Sequence, residues 1–209
     1  MKLINCKVGK RIGLMMAGIV GMGVFLSFLI EVNLGTDTSS FMNLAISERF
    51  GISFGTCMVL ANLLFFIPEI LLEPKLINIG TIMNMVLIGY ISDSCRVLWS
   101  RYLPQIIFSV QPYQTITFLL ALLPFLVSVA LYMNADMGQA PYDAIPTMIS
   151  HRSHLPYLVI RMIWDFSAIL IGILAGKHLS IATVIIALTI GPSVTFLGNF
   201  VKSLSGNEP

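Results

Sequence analysis

Long apolar runs alternate with short polar segments along this chain. Six of the runs are long enough to cross about 30 Å of hydrocarbon as helices that rise about 1.5 Å per residue. They cover roughly Ile12–Ile30, Ile52–Leu72, Leu76–Ile91, Tyr113–Met133, Leu155–Ala175 and Leu179–Phe200. The pattern therefore predicts an all-α polytopic membrane protein with six transmembrane helices.

Two segments, Leu34–Phe50 and Ala135–His154, are too polar to be ordinary spans and too apolar to be free loops. In the first, Asp37 and the hydroxyl residues after it form an N-cap-type helix start. In the second, Pro141 suits a first helical turn, whereas Pro146 interrupts a longer helix. We expect each segment to form a short re-entrant or interfacial helix.

A Gly-centred polar turn occurs twice, at residues 33–37 and again at residues 134–143. Aligning Gly35 with Gly138 also pairs Asn62 with Asp165 and, after one dropped residue, Thr81 with Thr183 and Gly89 with Gly191. The alignment predicts two three-helix repeats, 1–103 and 104–209, within a single membrane domain. Because each repeat has an odd number of spans, the two copies must lie in opposite orientations, an architecture that many secondary transporters use.

Composition agrees with a membrane location. Hydrophobic residues make up 56% of the chain, charged residues make up 11%, and the mean hydropathy is +0.89, whereas a soluble domain has about 25% charged residues. The net charge of +2 comes from scattered basic residues, so we expect no nucleic-acid partner. The three cysteines have unrelated spacings and imply neither a disulfide framework nor a metal site.

Basic residues predict the orientation of the chain in the membrane. With a cytoplasmic N-terminus, seven of them lie on the cytoplasmic side and four on the opposite side. The cytoplasmic set is Lys2, Lys7, Lys10, Arg11, Lys75, Arg152 and Lys202, and the opposite set is Arg49, Arg96, Arg101 and Lys177. The positive-inside rule therefore favours cytoplasmic N- and C-termini.

Ionisable side chains inside apolar runs usually face a helix bundle or a wet cavity. Arg161 and Asp165 lie four residues apart on one face of the fifth run and can pair with each other. Asn62 occupies the matching position in the first repeat. We expect all three to line a solute cavity, with a structural ion pair that fixes helix packing as the alternative. Glu69 lies one turn from Glu73, which favours an interfacial position.

The two Gly turns predict a second part of the same site. A helix that starts just after each turn points free N–H groups and a positive dipole end into the gap, which suits a polar or anionic solute. The alternative is that Asp37 and Asp143 simply cap interfacial helices. The candidate solute-binding residues are Gly35, Thr36, Asp37, Asn62, Gly138, Tyr142, Asp143, Arg161 and Asp165.

Several of these segments carry a family resemblance. They are Asn33-Leu34-Gly35-Thr36-Asp37, Gly51-Ile52-Ser53-Phe54-Gly55, Ile79-Gly80-Thr81 with Gly89, and Pro141-Tyr142-Asp143. Through them the chain resembles the YczE/YitT-like family of small bacterial integral membrane proteins over nearly its whole length. The resemblance implies residence in the bacterial inner membrane and names no substrate. The family turn often reads Gly-Thr-Asp-Pro, so among the carboxylates of the two turns only Asp37 aligns with it.

Together these observations predict a transporter or permease for a small polar or anionic solute, with the lipid bilayer and that solute as partners. No catalytic or cofactor motif is present in the sequence, so we expect neither an enzyme nor a bound cofactor or metal. A solute-capture subunit of a multi-component importer and a non-transporting accessory protein are the alternatives. A homodimer or a membrane partner is compatible with each of them.

Overall fold

The computed structural model of the chain describes residues 2–189, with side chains from residue 8 onward. Within this range the regular structure is helical, and no strand occurs. The helices are α1 (Lys2–Val32), α2 (Thr38–Phe50), α3 (Phe54–Leu72), α4 (Ile79–Tyr102), α5 (Ile106–Ser109), α6 (Tyr113–Asn134), α7 (Pro141–Ser153) and α8 (Tyr157–Leu174). A 3₁₀ turn covers Pro74–Leu76, and residues 181–189 are helical and are labelled α9.

In the part of the chain that the structure describes, four helices are long and apolar enough to cross a membrane. These stretches are Val8–Val32, Phe54–Leu72, Tyr113–Ala135 and Tyr157–Leu174. The long helices also carry many large apolar side chains on their outer surfaces, among them Leu64, Leu120 and Leu158. Such surfaces are unfavourable in water and favourable in lipid, which indicates a membrane-embedded protein.

The third and sixth predicted spans differ from these four. In place of a run from Leu76 to Ile91, α4 starts at Ile79 and continues to Tyr102. Its second half carries Asp93 and Arg96, so α4 is less apolar than the four candidate spans. Half of the predicted run from Leu179 to Phe200, residues 190–200, lies outside the described residues. The total of six spans therefore stays a prediction.

Helix α1 packs along both α4 and α6. Arg11, near its start, donates to the carbonyl of Ala135 after the end of α6, so α1 and α6 run antiparallel. Ser27, near its end, accepts a hydrogen bond from Trp99 near the end of α4 at 2.7 Å, so α1 and α4 run parallel. Glycine permits the closest of these approaches: a Cβ on Gly18 would lie 2.7 Å from the backbone nitrogen of Tyr132.

The two short helices α2 and α7 each contain 13 residues and are largely buried. Helix α2 packs against α3 and α8, and α7 packs against α8 and α3. Each short helix therefore contacts a long helix from its own half of the chain and one from the other half. This reciprocal packing interlocks the two halves.

Each Gly turn is held against a threonine near the start of a helix from the other half of the chain. At the turn before α7, Gly138 has a φ of 106°, and a Cβ there would collide with Thr81 Oγ1 of α4. At the turn before α2, a Cβ on Gly35 would lie 2.7 Å from the backbone nitrogen of Thr183, whose hydroxyl accepts a hydrogen bond from Thr36 N–H at 3.3 Å. Neither turn has room for a larger residue without displacement of its neighbour.

The close approach of α1 to α6 gives a first testable prediction. Gly18→Ala should lower the thermal stability of the purified protein, because the added methyl group meets α6 backbone and overpacking typically costs about 1–3 kcal/mol. Gly13→Ala in the same helix is the matched control, since its Cβ would meet nothing within 4 Å. Thermal unfolding in detergent measures both. Equal stability of the two variants would contradict the described α1–α6 contact.

Candidate functional site

The middle of α8 holds a buried carboxylate with three hydrogen-bond donors. Asp165 Oδ1 accepts from the Thr38 hydroxyl at 2.7 Å and from the Tyr142 hydroxyl at 2.9 Å. Its other oxygen, Oδ2, accepts from Arg161 Nε at 2.9 Å. Because Thr38 starts α2 and Tyr142 lies in the first turn of α7, three helices meet at this one side chain.

Arg161 joins a second carboxylate to the first. Its Nη1 donates to Asp143 Oδ1 at 2.6 Å, and its guanidinium carbon lies 5.6 Å from the centroid of the Tyr142 ring. That separation permits a cation–π interaction. The exposed fraction of the side chains rises from 7% at Asp165 to 20% at Arg161 and 43% at Asp143. The cluster formed by Asp143, Arg161 and Asp165 (the charged cluster) therefore extends from the protein interior toward an opening.

The N-termini of α2 and α7 provide electrostatic support for the charged cluster. Asp37 is the N-cap of α2, and its Oδ2 accepts from Ser40 N–H at 3.1 Å. Asp143 lies in the first turn of α7. A helix N-terminus stabilises a nearby negative charge, so the two helix starts offset part of the excess of carboxylates over guanidinium. The other Asp37 oxygen, Oδ1, is buried without a hydrogen-bond partner in the described part of the chain.

Two aromatic rings fix the position of Tyr142. Its ring centroid lies 6.0 Å from that of Phe65 in α3 and 5.5 Å from that of Trp164 in α8. Phe65 and Trp164 also contact each other, at 5.4 Å in an edge-to-face arrangement. Such pairs are favourable beyond the area they bury. They hold the Tyr142 hydroxyl at the Asp165 carboxylate.

The charged cluster lines a cavity of about 1120 Å³, which is larger than a typical small-molecule site of about 300–1,000 Å³. The cavity lies between α6, the Gly138 turn, α7, α8 and α9, and its wall also includes Arg11, Lys75, Asn78, Tyr132, Gln139, Thr147 and Tyr157. Thr38 and Tyr142 are not part of the wall and stand behind Asp165. The cavity can hold a small solute against Asp143, Arg161 and Asp165.

A second cavity lies beside the other Gly turn and is much smaller. It has a volume of about 30 Å³ and is lined by Gly35, Thr36, Lys177 and Thr183, among others. Lys177 of its wall also forms an ion pair of 2.6 Å with Glu48 near the C-terminal end of α2. Space of this size fits about one or two water molecules and no larger solute.

The structure brings together four of the residues predicted from sequence: Tyr142, Asp143, Arg161 and Asp165. Asp37 caps the helix that supplies Thr38 to the charged cluster, and Gly138 lies on the wall of the large cavity. The remaining candidates lie elsewhere. Gly35 and Thr36 border the small cavity, and Asn62 is buried on α3 and takes part in none of the hydrogen bonds that join the charged cluster.

One contributor was missed, and the setting of one residue was not foreseen. Glu69 is fully buried where α3 packs against α7, and its interfacial depth in the membrane stays a prediction. Thr38 was not selected as a site residue, although it directly follows the N-cap Asp37. Its contact with Asp165 spans 127 positions of the chain, so only its location at a helix start could have indicated it.

No metal site accompanies the charged cluster within residues 2–189. In that range no group of three or more His, Cys, Asp or Glu side chains could hold a metal ion. The two cysteines with described side chains, Cys57 and Cys95, are free thiols. The polar groups that the described wall of the large cavity offers are carboxylates, a guanidinium, hydroxyls and amides.

The chain belongs to a family of unknown function (DUF6198), which matches residues 9–199. It is similar to an uncharacterised protein of Haemophilus influenzae, at 24% identity over 198 residues that cover 93% of this chain and 86% of the relative. No solved structure matches the chain. These comparisons place the chain in a family of unknown function that has a distant bacterial relative. The likeness to the YczE/YitT-like family stays a resemblance.

The burial of Asp165 gives a second prediction. Asp165→Asn should lower stability by about 1–3 kcal/mol, because the amide cannot accept from all three donors and leaves a buried donor without an acceptor, although Arg161 keeps its pair with Asp143. Asp136→Asn is the matched control: Asp136 also pairs with an arginine, Arg11, but its side chain is 91% exposed, and exposed pairs contribute about 0–1 kcal/mol. Thermal unfolding in detergent compares the variants. A loss at Asp165 no greater than at Asp136 would contradict the described cluster.

Proposed function

We propose that this protein is a multi-pass transporter of the bacterial cell membrane that moves a small polar solute past the charged cluster. One observation carries the proposal: Asp143, Arg161 and Asp165 line a cavity of about 1120 Å³ at the point where the N-termini of two short helices meet. Buried ionisable groups in membrane proteins commonly mark solute or ion pathways. Half-helix N-termini at mid-membrane are a recurrent feature of secondary transporters.

The proposed architecture is a six-span inverted repeat, in which α1 to α4 correspond to α6 to α9. Reciprocal contacts support it, since α2 packs against α8 in the same way that α7 packs against α3. The turn contacts support it as well. Gly35 lies against Thr183, and Gly138 lies against Thr81, and the repeat alignment pairs these glycines with each other and these threonines with each other.

The two cavities support alternating access. They lie beside the two Gly turns that the repeat relates, yet their volumes are about 1120 Å³ and about 30 Å³. We therefore interpret this conformation as open on the Gly138 side and closed on the Gly35 side. The closed side is held by the Glu48–Lys177 ion pair and by the hydrogen bond from Thr36 N–H to the Thr183 hydroxyl. In the alternative conformation these contacts would open while those around Gly138 close.

The charges of the site bear on the class of solute. Two carboxylates share one guanidinium, so the charged cluster carries a net negative charge when all three groups are ionised. An anionic solute could bind Arg161 only by displacing Asp143 or Asp165 from it. A polar solute with hydrogen-bond donors fits the free acceptor positions of Asp143, so we favour a neutral polar or amine-bearing solute over a purely anionic one.

Binding at the cavity is the first test. A thermal-shift screen of the purified protein uses a fixed panel of amino acids, polyamines, sugars, carboxylates and inorganic ions. Binding is detectable in this way because a ligand present at 100 times its Kd adds about 2.7 kcal/mol to the stability of the folded state. A compound from the panel should stabilise the wild type but not Arg161→Lys, which cannot donate to both carboxylates in the same geometry. It should also stabilise Arg49→Lys, the same change at an exposed arginine that does not line the large cavity. The same compound should then enter proteoliposomes that contain the wild type.

Two results would contradict the transporter proposal. A compound that stabilises Arg161→Lys as well as the wild type does not bind at the charged cluster. If no compound binds and the protein co-purifies with an ATPase module or another membrane complex, the capture-subunit or accessory function replaces transport.

The proposed orientation has its own test. With Cys6, Cys57 and Cys95 replaced, a single cysteine at exposed position Arg49 should react with a membrane-impermeant maleimide in intact cells. A single cysteine at exposed position Arg152 should react only after permeabilisation, because the N-in topology puts it in the cytoplasm. The opposite pattern would reverse the orientation and would direct the large cavity outward.

A further inference from the structure

Glu69 is a fully buried carboxylate that the charged cluster does not use. It lies in the last third of α3, and its exposed fraction is 0%. Neither of its carboxylate oxygens has a hydrogen-bond donor in the described part of the chain. A carboxylate in this position is costly when it is ionised, because neither water nor a protein donor compensates its charge.

The neighbours of Glu69 along α3 locate its side chain. Residues four positions apart share a helix face, and Phe65 and Glu73 flank Glu69 at that spacing. The Phe65 ring contacts Tyr142 at the start of α7, and Glu73 Oε2 lies 3.0 Å from His151 Nδ1 near the end of α7. Glu69 therefore faces α7 between these two contacts, where the buried residues are apolar: Ala144, Ile145, Pro146 and Met148.

The charged and titratable groups around α3 leave Glu69 without a cation. On α7, Asp143 is paired with Arg161, His151 is paired with Glu73, and Arg152 donates to the Leu72 carbonyl at 3.3 Å. At the start of α2, Asp37 accepts from Ser40 N–H of its own helix. Further charged groups of α2 and α4 (Glu48, Arg49, Asp93 and Arg96) lie toward the opposite end of α3, where Asp93 accepts from Gly55 N–H at 2.7 Å. Lys75 follows in the 3₁₀ turn and lines the large cavity, and Tyr132 of α6 donates to the Gly138 carbonyl.

We propose that Glu69 is a proton-binding site, protonated in this conformation, and that its proton is the coupling ion of the transporter. The name coupling ion rests on the proposed function, whereas proton binding at Glu69 does not. A neutral carboxylic acid suits the apolar stretch of α7 that faces it. Loss of the proton would require new donors or water at this position, and therefore a displacement of α7 relative to α3.

Helix α7 and an aromatic contact connect this proton site to the charged cluster. The first turn of α7 carries Tyr142 and Asp143, so a displacement of α7 changes the donors at Asp165 and Arg161. Phe65, one turn before Glu69, touches the rings of Tyr142 and Trp164. Protonation of Glu69 and the geometry of the solute site therefore depend on the same helix–helix contact.

Infrared spectroscopy of the purified protein tests the protonation directly. At neutral pH the wild type and Glu73→Gln should show the carbonyl band of a protonated carboxyl group. In Glu69→Gln the intensity of this band should be lower by the contribution of one carboxyl group. Glu69→Gln should fold, because it mimics the neutral acid in size and hydrogen bonding. Glu73→Gln is the same change one turn away. Equal bands in the wild type and Glu69→Gln would overturn the proposal.

Trp164 fluorescence tests the connection to the solute site without any solute. The chain has two tryptophans, so Trp99→Phe leaves Trp164 as the sole reporter beside Tyr142. The emission of Trp164 should shift with pH in the Trp99→Phe variant and in the control that combines Trp99→Phe with Glu73→Gln. The shift should be lost in the variant that combines Trp99→Phe with Glu69→Gln. A pH-dependent shift that survives in the Glu69→Gln variant would overturn the coupling role.

These readouts separate failure of the inference from failure of the proposed function. Both use the proton alone, so they give a result whether or not a solute is transported. A Glu69-dependent band and shift, combined with no solute binding or uptake, would leave the proton site in place and overturn transport. Solute uptake with the same pH dependence in the wild type and Glu69→Gln would overturn the inference and leave transport in place.

Discussion

The neutralisation of one carboxylate, Asp165, organises the centre of this protein. An ionised group in the interior of a membrane protein must find donors and counter-charge within the protein. Asp165 obtains them from three helices, through the Thr38 hydroxyl of α2, the Tyr142 hydroxyl of α7 and the guanidinium of its own helix. The start of each short helix is thereby fixed to the middle of α8. The position of the large cavity follows from this arrangement.

Much of the fold could be predicted from the sequence because hydropathy is a local property. The four apolar candidate spans and the two short helices between them all coincide with predicted segments. The extent of α4 could not be predicted in this way. Its polar second half is tolerated because Arg96 pairs with Glu31 of α1 at 2.8 Å and Asp93 accepts from the backbone of α3. These partners lie far away in sequence.

The candidate site was predictable to the extent that its contacts follow helical spacing or helix starts. Arg161 and Asp165 are four residues apart, and Tyr142 and Asp143 follow a Gly turn and a proline. The burial of Glu69 could not be predicted from its proximity to Glu73, because it depends on the tertiary packing of α7 against α3. Asn62 lies apart from the charged cluster, and a position matched by a repeat alignment need not keep the chemistry of its counterpart.

The interlocked packing of the short helices also determines when the protein can become complete. Thr38 and Asp165 are separated by 127 positions. Helix α2, in which the polar side chains of Ser40, Asn43 and Ser47 are buried, packs against α8, a helix that is synthesised late. Contacts of such long range form slowly, because the intervening chain must be ordered first. The first half of the protein therefore enters the membrane with a polar helix whose final partner does not yet exist. Helix α2 cannot reach its final packing before α8 has been synthesised, so the two halves of this membrane protein complete their folding together.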